Sequence, residues 1–187
     1  TEDEVSRILN DSWFRSDQIG EKGCTNEKIL DLVYRHLAKD NENIEVVLAT
    51  NPYISKKLLE NLLDSDFSWE EDGTRQALAR NRKEVEILKK LSDVGDWNVQ
   101  HAVAMNPNTP AEVLDLLVIS TGQCNFQVEE VLFGEVTPHK GYIRWACLEN
   151  PNISKLAVEK VLKGDLESLG TEIDEIIFNI AKTKLSK

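Results

Sequence analysis

The stretch His101–Leu117, HAVAMNPNTPAEVLDLL, holds two helical patterns separated by a turn. With Asn106 as origin, the small or apolar residues Val99, Ala102 and Val103 stand seven, four and three places upstream, offsets that share one face of a helix. The helix they predict must stop at the asparagine, because Pro107 pushes the residue before it out of the helical region. A second helix then begins. Thr109 is placed to be its N-cap, Pro110 its first residue and Glu112 the closing member of a capping box. Val113, Leu114, Leu116 and Leu117 give it an apolar stripe.

The same block recurs three times. VVLATNPYISKKLLENLL from Val46, QALARNRKEVEILKKL from Gln76 and WACLENPNISKLAVEKVL from Trp145 align on Asn51, Asn81 and Asn150. The residues seven, four and three before these anchors are Ile44, Val47 and Leu48; Thr74, Ala77 and Leu78; Ile143, Ala146 and Cys147. Each block is therefore expected to open with about two turns of α- or 3₁₀-helix and to continue, past the anchor, in a longer amphipathic helix. Ser55 and Ser154 are the N-cap candidates of the first and fourth blocks. The second block departs from the rule, with Arg82 in place of proline and one residue missing before Val85, so its turn is expected to be irregular.

A helix pair of this size cannot bury its own apolar face, and stacking of successive pairs is the physical solution. The expected fold is all-α: a single repeat domain over residues 1–187, with an N-terminal cap and partial repeat at 1–43, four repeats at 44–163 and a C-terminal cap at 164–187. Anchors lie 30, 25 and 44 residues apart, which places insertions at 64–73 and 118–141. Phe126, Val128, Val131, Leu132 and Phe133 suit a short extra helix in the longer insertion, and Val5, Ile8, Leu9, Trp13 and Phe14 suit a capping helix in the first twenty residues. CTNEKILDLV from Cys24 overlays NTPAEVLDLL from Asn108, a second-half helix without a clear anchor. EIDEIIFNIAKTK from Glu172 reads as a first-half helix with its anchor drifted to Thr183.

These blocks resemble the variant leucine-rich repeats, whose units of about 24 residues centre on a motif close to HAVAMNPNTPAEVLDLL. The likeness covers about residues 24–163. It implies a right-handed superhelix in which each unit pairs an α-helix with a short 3₁₀ helix, the open-stack arrangement also found in armadillo and HEAT arrays. It implies architecture, not activity. Nothing here matches the cysteine-ligated iron–sulfur module carried by the family's best-described member, since Cys24, Cys124 and Cys147 are widely separated.

Function is read from what the surface offers. The 33 acidic and 22 basic residues give a net charge of -11, with 17 acids and 8 bases in residues 1–73 alone, a balance that disfavours nucleic-acid binding. No apolar run approaches a membrane span, no signal-peptide pattern opens the chain, and the sparse cysteines suit a reducing compartment, so a soluble cytoplasmic protein is expected. His36, His101 and His139 are scattered, and no P-loop, GxGxxG, GxSxG or HExxH motif occurs. Glu70 with Glu71 and Glu129 with Glu130 lie in loop-like stretches where solvation explains them. The expectation is a non-enzyme without metal or cofactor.

Binding is better supported. The residues five and one before each anchor point away from the core face: Val46 and Thr50, Gln76 and Arg80, His101 and Met105, Trp145 and Glu149. Stacked blocks would align them into a stripe, and Gln76, Arg80, His101, Met105, Trp145 and Glu149 are its candidate protein-binding residues. Trp145 could equally be covered within the fold. The expected function is a helical-repeat scaffold that binds a protein partner. The alternative is an acidic inhibitor or immunity-type protein acting on a basic target through residues 1–73.

Overall fold

The computed structural model describes residues 19–20, 23–38, 42–64, 73–120, 139–164, 166 and 171–186. The insertion residues 65–72 and 121–138, with Glu70, Glu71 and the segment Phe126 to Phe133, lie outside them, as do residues 1–18. Among the described residues the fold is all-α, with ten helices and no strand. They are α1 Glu27–Leu37, α2 Glu42–Thr50, α3 Lys56–Leu63, α4 Gly73–Asn81, α5 Val85–Ser92, α6 Trp97–Met105, α7 Ala111–Ser120, α8 His139–Glu149, α9 Lys155–Lys163 and α10 Thr171–Leu185.

The pairing in each block matches the alignment. First-half helices α2, α4, α6 and α8 each lead into a second-half helix, save that α4 runs on through its anchor. They are α-helices throughout, not the short 3₁₀ helix that the family resemblance implies. Two insertion limits move inward, because α7 continues through Ser120 and α8 already begins at His139.

The chain divides between Asn81 and Arg82 into two compact units. In the first, α2 packs against α1, α3 and α4, and α3 also meets α4. The contact of α2 with α4 is close: a Cβ added at Gly73 would lie 3.0 Å from Val46 Cγ2, so a larger residue there would make Val46 give way. In the second unit α6 packs on α8, and α8 on α10, while α5 meets α6 and α7, α7 meets α6 and α8, and α9 meets α10.

The predicted core offsets are buried. Of the twelve residues at -7, -4 and -3, only Val47 is half-buried. Burial extends further than predicted, however, to the position two before each anchor, where Ala49, Ala79, Ala104 and Leu148 are fully enclosed. Alanine at three of the four positions suits close helix approach, and Leu148 fills the fourth.

The position six before the anchor carries a recurrent polar contact that periodicity does not show. Arg75 Nε donates to the Leu63 carbonyl at 3.1 Å, Gln100 Nε2 to the Ser92 carbonyl at 3.1 Å and Arg144 Nε to the Val118 carbonyl at 3.3 Å. In each case a first-half helix satisfies a carbonyl at or near the C-terminal end of the preceding second-half helix, where orphan acceptors otherwise face the interior. Arg144 is buried by this arrangement.

The anchors themselves are clamps. Asn150 Nδ2 donates to the carbonyls of Ala104 and Asn106, both at 2.8 Å, while its Oδ1 accepts from the Asn152 N–H at 3.0 Å. Asn106 does the same with the Arg82 carbonyl and the Asn108 N–H, each at 2.8 Å. Asn51 reaches the carbonyls of Ile19, Gly20 and Cys24 and turns the chain at Tyr53. One side chain thus closes its own turn and fastens the preceding segment.

Asn81 is the exception, and its neighbour explains it. With proline behind it, Asn106 takes extended backbone angles at the end of α6. With Arg82 behind it, Asn81 remains inside α4, and its amide bonds the Ala77 carbonyl of the same helix at 2.8 Å. Arg82 is itself buried, and desolvation lowers the pKa of its guanidinium.

Second-half helices begin as their sequences direct, with one correction. Ser55 and Ser154 cap α3 and α9, accepting from Leu58 and Ala157 N–H at 2.9 and 3.0 Å. Each serine hydroxyl also donates to an aspartate of an earlier second-half helix, Asp31 at 2.8 Å and Asp115 at 2.6 Å. Thr109 does not head a capping box: its hydroxyl donates to the Val103 carbonyl at 2.6 Å, and Pro110 accepts the first helical bonds of α7. A buried hydroxyl needs a partner, and the Val103 carbonyl at the end of α6, which also accepts from the Asn106 N–H, supplies it.

Candidate functional site

At 100° per residue, positions -7, -6, -4, -3 and -2 of a first-half helix occupy an arc of about 200°. Each of these helices packs against at least two others, and what escapes coverage is the strip at -5 and -1. The structure exposes that strip unevenly.

In the first unit, Val46, Thr50 and Gln76 are half-buried and Arg80 is exposed. Thr50 turns its hydroxyl back to the Val47 carbonyl at 2.8 Å, leaving little polar reach. In the second unit, His101 is half-buried, Met105 is 56% exposed, Trp145 is 44% exposed and Glu149 is exposed. Trp145 therefore stands at the surface rather than within the core. Because α6 and α8 pack side by side, His101, Met105, Trp145 and Glu149 come together on one face. Gln76 and Arg80 belong to α4 in the other unit.

The face continues onto α10, which the sequence had assigned one residue out of place. The anchor position belongs to Lys184, not Thr183: its Nζ donates to the Asn150 carbonyl at 2.9 Å and to the Glu149 carbonyl at 3.4 Å. This is the task of the asparagine amide in the first, third and fourth blocks, performed by an ammonium that also suits the negative end of α8. Counting from Lys184 puts Ile177 and Ala181 at -7 and -3, and both are buried. Asn179 and Thr183 then fall at -5 and -1, and with Glu149, Ile180 and Lys184 they line an open groove of about 450 Å³. These two site residues were missed because the sequence offers no asparagine to set the count. The buried pair Ile177 and Ala181, four apart, was the available signal.

The face is suited to contact more than to chemistry. Methionine and tryptophan combine large apolar area with polarisable surface, and both are enriched at protein interfaces. Among the described residues, no three His, Cys, Asp or Glu side chains stand together as a metal site would require. Cys147 is buried, and burial with the nearby Asp115 pushes its thiol pKa far up. Since the thiolate is the reactive form, Cys147 should stay unmodified when the native protein is treated with iodoacetamide and react only after unfolding. Peptide mapping by mass spectrometry checks this, and rapid native alkylation at Cys147 would contradict the packing of α8.

No family model, curated protein or solved structure matches the chain.

Proposed function

We propose that the protein is a non-catalytic helical-repeat scaffold that binds a protein partner through the -5/-1 face of α6, α8 and α10. The observation that carries the reading is the side-by-side exposure of Met105 and Trp145 on packed helices whose other faces are covered. Two large apolar side chains kept at the surface oppose solubility, and binding surfaces are where such groups collect. On this reading the blocks stack as variant leucine-rich repeats in a right-handed superhelix. The clamps of Asn106, Asn150 and Lys184 support it, since each ties one block to the carbonyls of the block before. No described helix is long and apolar enough to cross a membrane. The free thiols of Cys24 and Cys147 suit residence in the cytoplasm.

The test is affinity capture from the native host with the parent chain and with Met105→Ala/Trp145→Ala. Neither residue is enclosed in the core, so the fold should be retained, with at most a small drop in melting temperature from the covered part of Trp145. Capture should weaken about ten-fold or more, because central interface residues commonly cost over about 2 kcal/mol each when truncated. Undiminished capture at unchanged stability would remove this face from consideration. Arg80→Ala, made in parallel, reports whether the first unit contributes.

A further inference from the structure

We infer that the exposed face of the second unit takes an extended, basic peptide segment of the partner, with a lysine or arginine seated on Trp145 against Glu149 and an apolar side chain on Met105. This rests on the docking face proposed above and adds the chemistry of what occupies it.

Three observations bear on the choice. Trp145 and Glu149 are four residues apart on α8, so an indole face and a carboxylate lie one helical turn from each other, about 5–6 Å between Cβ atoms. An aromatic face beside a carboxylate favours a cation: the ring attracts it through its quadrupole and the carboxylate through charge. Among the -5/-1 residues of this unit, which are His101, Met105, Trp145, Glu149, Asn179 and Thr183, Glu149 is the one acid, and there is no lysine or arginine to oppose an incoming cation. The nearest basic side chain in the groove, Lys184, points its ammonium at the carbonyls of Glu149 and Asn150. The surroundings reinforce the sign, since the second unit holds 16 acidic and 12 basic residues and the chain as a whole is at -11. Long-range attraction of a basic ligand follows.

The spacing of the helices bears on its conformation. Packed helices lie about 8–10 Å apart, and an extended polyproline II segment advances about 9.3 Å in three residues, returning side chains to the same face. Met105 at -1 and Trp145 at -5 are also offset by four residues, about 6 Å along the helices, so the two lie about 10–12 Å apart, and three residues is the extended spacing that comes nearest while returning to the same face.

The experiment is an NMR titration of the full 187-residue chain, ¹⁵N-labelled, following the indole N–H of Trp145, identified through Trp145→Phe. The probes are the acetylated, amidated peptides Gly-Leu-Pro-Pro-Arg-Gly, its Arg-to-Gln and Arg-to-Glu versions, and Gly-Leu-Pro-Arg-Gly with the spacing shortened. The first peptide should shift the Trp145 signal and bind about five- to ten-fold more tightly than the glutamine version. The glutamate version should bind more weakly still, and the short peptide should lose most of the advantage. Glu149→Gln should bring the arginine and glutamine peptides to within about two-fold of each other and flatten the salt dependence. Equal binding of the arginine and glutamine peptides, or no shift of Trp145 with any of them, overturns the proposal. Failure of this inference is separable from failure of the docking face. If partner capture is lost with Met105→Ala/Trp145→Ala but is indifferent to Glu149→Gln and to salt, the face stands and the basic ligand falls.

Discussion

Ala102→Asp is expected to cost about 3–5 kcal/mol and to lower the melting temperature by about 10 °C or more. Ala102 is 1% exposed, at the -4 position of α6, enclosed with Val99, Val103 and Ala104 where α6 meets its neighbours. A carboxylate there loses its water and gains no cation, and the methyl-sized space cannot take the larger side chain without parting the helices. The fair control is Met105→Asp, three residues on in the same helix but 56% exposed. It carries the same charge, incurs at most about 1 kcal/mol from the unfavourable end of the helix dipole, and so isolates the effect of burial. Thermal melts of both variants decide the matter. Equal melting temperatures would mean that the buried face of α6 has been wrongly assigned.

The difference between those two positions is legible in the sequence. It follows from the spacing of Val99, Ala102 and Val103 about an asparagine that a proline forces to be the end of the helix. Helices built from short-range pattern and hard steric rules are what a single sequence reveals best. The polar contacts were less legible because each joins residues far apart in the chain. Asn150 bonds a carbonyl 44 residues away and Arg144 one 26 residues away, and nothing local to either side chain names its partner. The same limit displaced the reading of α10. Lysine and asparagine share no pattern, yet an ammonium on a longer stem reaches the same carbonyls. Once Lys184 is the anchor, Asn179 and Thr183 join the exposed face. The part of the site on α6 and α8, by contrast, came from offsets alone, because an exposed strip is simply what the core offsets leave over.

Asn150→Ala should be the more damaging of two substitutions that the sequence alignment treats as equivalent. It removes two buried hydrogen bonds to the Ala104 and Asn106 carbonyls and the bond that turns the chain at Asn152. At about 1 kcal/mol net for each bond, and more where a buried carbonyl is left without a donor, the loss is about 2–4 kcal/mol. Asn81→Ala removes one bond within its own helix from an exposed side chain, and alanine's higher helix propensity offsets part of it, so the change should stay within about 0.5 kcal/mol. Denaturant unfolding at a fixed pH measures both. Asn150→Asp sharpens the test, because it keeps the acceptor that closes the turn but sets a carboxylate oxygen against two carbonyls. Burial and the two facing carbonyls raise its folded-state pKa, against the Lys184 ammonium at the residue 150 carbonyl, and where burial dominates this variant should be least stable at neutral pH and recover as the pH falls and the carboxyl protonates. If Asn81→Ala proved as costly as Asn150→Ala, the clamp across blocks would contribute nothing beyond a local turn. The role assigned to proline at 52, 107 and 151, in freeing the asparagine from its helix, would then have to be abandoned.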